Sequence, residues 1–389
     1  MASYFKSIKK DFKLKHYINY IVVIAALILF VILQSAGLLK RSSANLLTQI
    51  GFSIILAVSL NIVVGFLGEL SLGHAGFMCI GAYLGAFFGN LMSSSMPALL
   101  TLILSMLIGG TVAALFGFVV GLPALRLKGD YLAIVTLAFG EIVRNIFKNL
   151  PWFGGAIGYS TKTYGTSLFI VTFVVILFML FCVQNLVRSK HGRAITAIRD
   201  NEIAAKAMGI NVTYYKLFAF IISAFFAGVA GVIYANYTTP ILYTFFSYNY
   251  SIEILVMVVL GGMGSITGSI AAATLITYIN FMLTTKLSGD LAALKYLVYA
   301  LVLMVVVIFN NAPALRPIKE RFSPAAIKDR IAHRMQKNLP PEEAAARVKE
   351  DGSAWDRIPT KIRMDEVLST DIVNPEGEVK DASDKPSRK

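Results

Sequence analysis

The residues able to do chemistry are few and widely spaced. Within the apolar runs the ionisable side chains are Glu69, His74, Glu141, Arg144 and Glu253, and an ionisable group at membrane depth is a functional candidate whose partner has to be named. Glu141 and Arg144 stand three apart, so they share one helix face and are expected to neutralise each other as an intramembrane ion pair. His74 has no second histidine or cysteine at ligand spacing, which favours a hydrogen-bonded loop residue over a metal ligand or proton switch. Glu69 can cap a broken helix or meet a cytoplasmic partner, and Glu253 reads as a solvated acid at a helix start. Cys79 and Cys182 lie in apolar runs and fit buried thiols, not a disulfide framework. ATP hydrolysis needs a Gly-x-x-x-x-Gly-Lys-Ser/Thr loop whose amides cradle phosphates. The nearest string, GGAIGYSTKT from Gly154, has Thr161 where the second glycine belongs, before Lys162. No carboxylate pair, nucleophile with base or metal-spaced cluster stands out. The expectation is a chain with no catalytic residues, no metal and no cofactor of its own, and no nucleic-acid partner.

The elements that position these residues are membrane spans. A hydrophobic fraction of 56% with 15% charged residues over 389 residues, and a mean hydropathy of +0.68, exceeds what a soluble core needs. Residues 1–16 carry Lys6, Lys9, Lys10, Lys13 and Lys15 against Asp11, and the apolar run from Tyr17 to Leu39 is longer than a signal peptide's apolar core. It reads as an uncleaved first span with a cytoplasmic amino terminus. Further spans follow at Ile50–Phe66, Ala75–Leu91, Pro97–Gly121, Tyr131–Phe147, Leu168–Val187, Leu217–Tyr237, Ile252–Leu260, Ile266–Thr285 and Tyr296–Phe309, ten in all. Alternation places Arg126, Lys128, the basic residues from Arg188 to Lys216 and the cluster Arg316, Lys319, Arg321 inside. That matches the lysine and arginine bias, although Lys40 and Arg41 pull against it.

Glycine concentrates in two places, GFLGELSLGHAGFMCIGAYLGA from Gly65 and VVLGGMGSITGSIAAA from Val258. In hydrocarbon an unpaired backbone amide costs several kcal/mol, so such a break must be buried in protein or line a cavity. Broken helices with half-helix N–H groups facing a polar substrate are one use of such sequence; close helix packing through glycine is the other. On the first reading the translocation path takes Gly68, Glu69, Ser71, Gly73, His74 and Gly76 from one break. From the other it takes Gly261, Gly262, Gly264 and Ser265. A zwitterionic solute needs no protein charge there, because helix ends bind carboxylate and ammonium.

The longest polar interruption is RSKHGRAITAIRDNEIAAKAMGINVTYYK, Arg188 to Lys216. Its middle predicts one short helix, with Asp200 or Asn201 as N-cap, Glu202 in the first turn and Gly209 just past the end. Between them Ile203, Ala204, Ala205, Ala207 and Met208 leave a flank nearly bare of side chain. The expectation is a cytoplasmic knob for a socket on another protein.

At these residues a resemblance becomes specific. NEIAAKAMGIN is similar to the EAA-type coupling loop of ABC importer permeases, with Glu202, Ala204, Ala205 and Gly209 in the motif and Ile203 as one extra residue. That form fits the LivM type of branched-chain amino acid permease. The likeness runs from Arg193 through LFAFIISAFFAGVAGVIYANY, and it returns in GELSLGHAGF and SIEILVMVVLGGMGS, covering Ile50 to Phe309 in order. The resemblance implies one half of a two-permease pore, paired with a LivH-like second permease. Two ATP-binding subunits would hold ATP and Mg, and an extracytoplasmic amino-acid-binding protein would deliver the solute. Asp200, Asn201, Glu202, Ala204, Ala205, Met208 and Gly209 would then couple to the ATPase.

Beyond Phe309 the chain turns polar with mixed charge. Ser323 and Pro324 are good starts for a helix carrying Ile327, Ile331 and Met335 on one stripe, Pro341 to Asp351 fits another, and the composition from Asp371 fits disorder. The expected architecture is an all-α polytopic membrane protein. Its parts are a cytoplasmic segment 1–16, a permease region 17–309 with the coupling loop 188–216, and a cytoplasmic tail 310–389. The expected location is the cytoplasmic membrane of a bacterium or archaeon. The rivals are a self-sufficient secondary carrier or channel, which would need acidic or histidine relays that are sparse here, and a membrane enzyme, which would need a polar cluster that is absent.

Overall fold

The computed structural model describes residues 18–35, 41–93, 95–125, 129–161 and 168–286, with Leu301 and Met304. The expected N-terminal segment 1–16 and tail 310–389 lie outside the described residues. The helices are α1 (Ile18–Ser35), α2 (Arg41–Asn61), α3 (His74–Met92), α4 (Ala98–Ala124), α5 (Asp130–Asn149), α6 (Leu168–Arg188), α7 (Lys190–Asp200), α8 (Glu202–Ala207), α9 (Val212–Tyr237), α10 (Tyr248–Gly261) and α11 (Ile266–Lys286). Among the described residues the only bridge of β type joins Tyr159 to Ile241. The chain is an all-α polytopic membrane protein. Among the described residues six helices are long and apolar enough to cross a membrane: α2 with its extension to Leu67, α3, α4, α6, α9 and α11. Of the ten expected spans, Tyr296–Phe309 lies outside the described residues except for Leu301 and Met304.

Helix α2 is the axis of the bundle. Its first two turns are polar, but the apolar window that follows within Arg41–Leu67 is wholly buried, as a helix hydrophobic nearly all round requires. Around it stand α9, α11, α6 and α10, with α3 and α4 packed on α9. The outward faces of α4 and α6 carry exposed leucine, valine and phenylalanine, such as Leu99, Leu115, Val174 and Phe178, which suits lipid.

Helices α3, α4 and α9 meet through glycine. A Cβ added at Gly81 would lie 2.2 Å from the Gly228 carbonyl oxygen, and one at Gly231 would lie 2.1 Å from that of Met78. Backbone therefore touches backbone, the close approach that small residues permit in membranes. Gly228→Leu is expected to destabilise the bundle by about 3 kcal/mol or more, the upper range for overpacking, because Ala113 and the Gly109 carbonyl leave no room. Thermal denaturation in detergent checks this, and a melting profile like the parent's would refute it.

At one end of the bundle the loops are joined by backbone pairing. Tyr159 and Ile241 exchange N–H···O bonds of 3.1 and 2.9 Å, Asn90 donates to Ser160 O at 2.9 Å, and Thr161 donates to Ala235 O at 2.6 Å. Under them sits an aromatic cluster in which Tyr83 stacks on Phe147 and meets Phe153 and Phe246 edgewise or tilted. The opposite end carries α7 and α8.

Candidate functional site

Three short-range caps build the α7–α8 end. Ser189 Oγ accepts from the N–H groups of His191 and Gly192 at 3.1 and 3.3 Å and starts α7, which buries Gly192, Ile195 and Ile198 on one stripe. Asn201 is extended and its Oδ1 accepts from Ala204 N at 3.0 Å, starting α8. Asn211 caps α9 in the same way through Tyr214 N at 3.2 Å. Helix α8 stops in a left-handed Gly209 at φ +81°, with Gly209 N bonded to Lys206 O and Ile210 N to Ala205 O at 3.0 and 3.1 Å. Nothing lies within 4 Å of where a Gly209 Cβ would sit, so the backbone angle alone demands glycine there.

The stretch therefore differs from the single helix expected. Asp200 is not a cap: it ends α7 and pairs with the Arg199 guanidinium at 2.9 Å. Between Arg188 and Asn201 there is a second helix, which the interior Gly192 disguised. On α8 the bare flank is formed by Ile203, Ala204, Ala207 and Met208. Ala205 is 4% exposed and faces inward, whereas Ile203 and Met208 are 80% and 82% exposed.

Two cations tie this end to the glycine-rich breaks. Lys216, near the start of α9, is almost fully buried; its Nζ lies 2.5 Å from Glu69 Oε1 and 3.1 Å from Glu202 Oε2. Glu69 thus has a partner within the chain. Glu202 also meets Lys206 at 2.9 Å, and the hydrogen bond from Lys206, followed by that from Lys216, lowers its carboxyl below the ordinary glutamate value against a desolvation effect that raises it. Arg199 Nη1 donates to the Gly65 carbonyl at 3.1 Å.

Gly65 lies in a π-helical segment, Ile62–Leu67, that continues α2 and ends at Gly68, φ +82°. Irregular helical turns of this kind concentrate at functional sites. Asn61, buried just before it, joins the two breaks: its Oδ1 accepts from Gly264 N at 2.9 Å, and its Nδ2 donates to Ser269 Oγ at 2.9 Å and Ser265 O at 3.2 Å. From Gly68 the chain folds back along α2. His74 begins α3 and bonds Ser59 Oγ at 2.8 Å, so α3 starts beside the last turn of α2, with the whole Ile62–Leu67 segment lying beyond that level. There Ala75 N donates to Ser251 Oγ of α10 at 3.1 Å and Leu72 N to Thr136 Oγ1 of α5 at 3.0 Å. Helix α10 has 14 residues, about 21 Å, and is too short for a crossing.

The other expected site residues separate by environment. A Cβ at Gly73, Gly76 or Gly261 would come within 2.7 Å of neighbouring backbone, so these three are places of tight approach, while Gly262 at φ +91° has its nearest neighbour at 3.8 Å. Among the described residues the buried Ser71 hydroxyl has no hydrogen-bond partner. Glu141 and Arg144 form the expected pair at 2.5 Å, and the second Glu141 oxygen accepts from Tyr248 N at 3.0 Å, so this acid also caps α10. Glu253 hydrogen-bonds Asn280 of α11 in place of the purely solvated position expected. Among the described residues no group of histidine, cysteine or carboxylate side chains could hold a metal.

The family described as branched-chain amino acid transport system, permease component, matches residues 42–307. The chain belongs to this permease family. It is 37% identical over 276 residues to the high-affinity branched-chain amino acid transport system permease protein LivM of Salmonella typhimurium, covering 61% of this chain and 63% of that protein's length. A probable LivM permease of Methanocaldococcus jannaschii is 28% identical over 333 residues, 72% of this chain and 94% of the relative. The ribose import permease RbsC of Haemophilus influenzae is 28% identical over 287 residues, 69% of this chain and 84% of the relative. No solved structure matches the chain.

Three residues of this permease that hold the site together escaped sequence reasoning: Asn61, Arg199 and Lys216. Their partners lie up to 208 residues away, so no local pattern announces them. Lys216 alone gave a signal, as a lysine in the first turns of an apolar helix already capped at Asn211.

Proposed function

We propose that this chain is the membrane-spanning permease subunit of an ABC importer that carries branched-chain or related amino acids into the cell, driven by separate ATPase subunits. The observation that carries the reading is the exposed apolar tip of α8, Ile203 and Met208, on a helix capped at both ends and tied ionically through Lys216 to the first glycine-rich break. Large apolar side chains in water mark a protein contact, and here the socket would be an ATPase surface in the cytoplasm. Asp200, Asn201, Glu202, Ala204, Ala205, Met208 and Gly209 then act in coupling, with Asn201, Ala205 and Gly209 shaping the tip and Ala204 and Met208 meeting the partner.

The pore would form beside a second permease. Helix α5 supports this: Asn145, Lys148 and Asn149 lie on an exposed face in the same helix as Glu141 and Arg144, and a groove of about 540 Å³ runs along Glu141, Ile142, Asn145, Ile146, Asn149 and Leu150. Exposed amides are costly against hydrocarbon, so this face borders water or another subunit. The breaks around Gly68, Glu69, Ser71, Gly73, His74, Gly76, Gly261, Gly262, Gly264 and Ser265 would shape the path where α3 and α10 begin or end. An extracytoplasmic amino-acid-binding protein would load it from outside, and both termini would lie in the cytoplasm of a bacterium or archaeon.

Reconstituting the chain with its permease, ATPase and binding-protein partners in vesicles tests this. ATP-dependent uptake of radiolabelled leucine, isoleucine or valine is expected from the complex and none from this chain alone. Uptake by the lone chain under an ion gradient would establish the secondary-carrier rival.

A further inference from the structure

We propose that Lys216 is the positioning residue through which α8 and the first glycine-rich break move together, with Arg199 as a parallel tie to the place where the two breaks meet. The inference rests on the importer reading above and names the link that reading leaves open. Helix α8 presents Ile203 and Met208 on its exposed side, and its Glu202 carboxylate turns to Lys216. Lys216 supplies the connection: one buried ammonium group lies between Glu202, 14 residues before it on α8, and Glu69, 147 residues before it in the Gly68–Gly73 loop.

The chemistry of the triad favours a link over a mere surface pair. Exposed ion pairs contribute little because water screens them, whereas Lys216 is 4% exposed and Glu69 14%. A buried ammonium is held only where carboxylates replace its hydration. Displacing Glu202 therefore drags on Lys216, and Lys216 in turn on Glu69. From Glu69 the loop leads in five residues to His74 and α3. Lys206 holds the other Glu202 oxygen, which fixes that carboxylate on the tip. Arg199 works beside it: Nε and Nη2 are occupied by Asp200, and Nη1 reaches Gly65 O, next to the Asn61 bond to Gly264. A movement of α7 and α8 thus reaches the first break through Lys216 and both breaks through Arg199.

The test measures leucine taken up per ATP hydrolysed by the full complex in vesicles. Lys216→Met is expected to lower that ratio about tenfold or more, within the usual range of coupling between sites. Lys216→Arg, which keeps the charge and the reach, is expected to restore it to within about twofold of the parent. A Lys216→Met complex that couples as the parent does, or one whose uptake and hydrolysis fall in proportion, overturns the inference. If Lys216→Met fails to assemble, a cycle of Glu69→Gln and Glu202→Gln decides. Non-additive effects on the ratio support the link, and additive effects refute it. A parent complex without ATP-dependent uptake overturns the importer reading and this inference together, whereas a coupled parent beside a coupled Lys216→Met complex sinks this inference alone.

Discussion

Replacing Ile203 and Met208 together by glutamate is expected to leave the chain inserted and folded while lowering ATP-driven uptake by about a thousandfold. Both side chains are at least four-fifths exposed, so the fold loses no packing when they change; substitutions at such positions usually shift stability by about 0.5 kcal/mol or less. Their cost falls on the partner. An apolar anchor at the centre of an interface is worth about 2 kcal/mol or more, and two such losses amount to about 4 kcal/mol, near three powers of ten in affinity. Capture of the ATPase subunits on the purified variant gives a second readout. Uptake within a few-fold of the parent would refute a docking role for α8. Ala205→Glu is the weaker experiment, because Ala205 faces inward and a charge there disrupts α8 itself. Gly209→Pro likewise acts through the fold: proline cannot adopt φ +81°, and it removes the N–H that bonds Lys206 O.

Asn61→Leu is expected to destabilise the membrane region by about 3 kcal/mol or more. The amide is buried and makes three hydrogen bonds that join α2 to the Gly264–Ser269 segment. Leucine has a similar volume but strands the Gly264 N–H and the Ser269 hydroxyl, while the Ser265 carbonyl keeps its bond from Ser269 N at 3.0 Å; each unsatisfied group costs about 1–3 kcal/mol where water cannot replace the partner. The expected result is poor accumulation in the membrane and a much lower denaturation midpoint in detergent. Asn61→Gln, which keeps the amide on a longer stem, should recover less than half of the loss, since Gly65 approaches too closely to admit it. A normal midpoint for Asn61→Leu would show that the two breaks are held by packing alone.

What the sequence revealed and what it hid divide along contact distance. The caps at Asn201 and Gly209 were legible because their hydrogen bonds close within three or five residues. Apolar runs of spanning length were legible because lipid contact is a local demand on composition. Helix α7 was missed although Ser189, Ile195 and Ile198 carry its signature, because Gly192 and three basic residues gave the segment the look of a polar connection. Glu69 illustrates the other kind of failure. Its type and depth marked it for attention, yet its partner Lys216 lies 147 residues on, and no rule of spacing joins a loop acid to a lysine counted as the edge of the next span. The glycines were ambiguous for a related reason: composition cannot distinguish a residue that frees an amide from one that admits a neighbouring helix. Gly73 and Gly76 turned out to do the latter against Thr136 and Gly140.

The crossing of α3, α4 and α9 at Gly81, Gly109 and Gly228 has a mechanical corollary. With carbonyls lodged where side chains would otherwise stand, these three helices cannot slip past one another by a fraction of a turn without collision. They form a stiff slab, and any change of access has to come from tilting that slab as a unit or from flexing its margins. A distance probe spanning two of the three should stay constant through the whole transport cycle, while one from the slab to α10 should not.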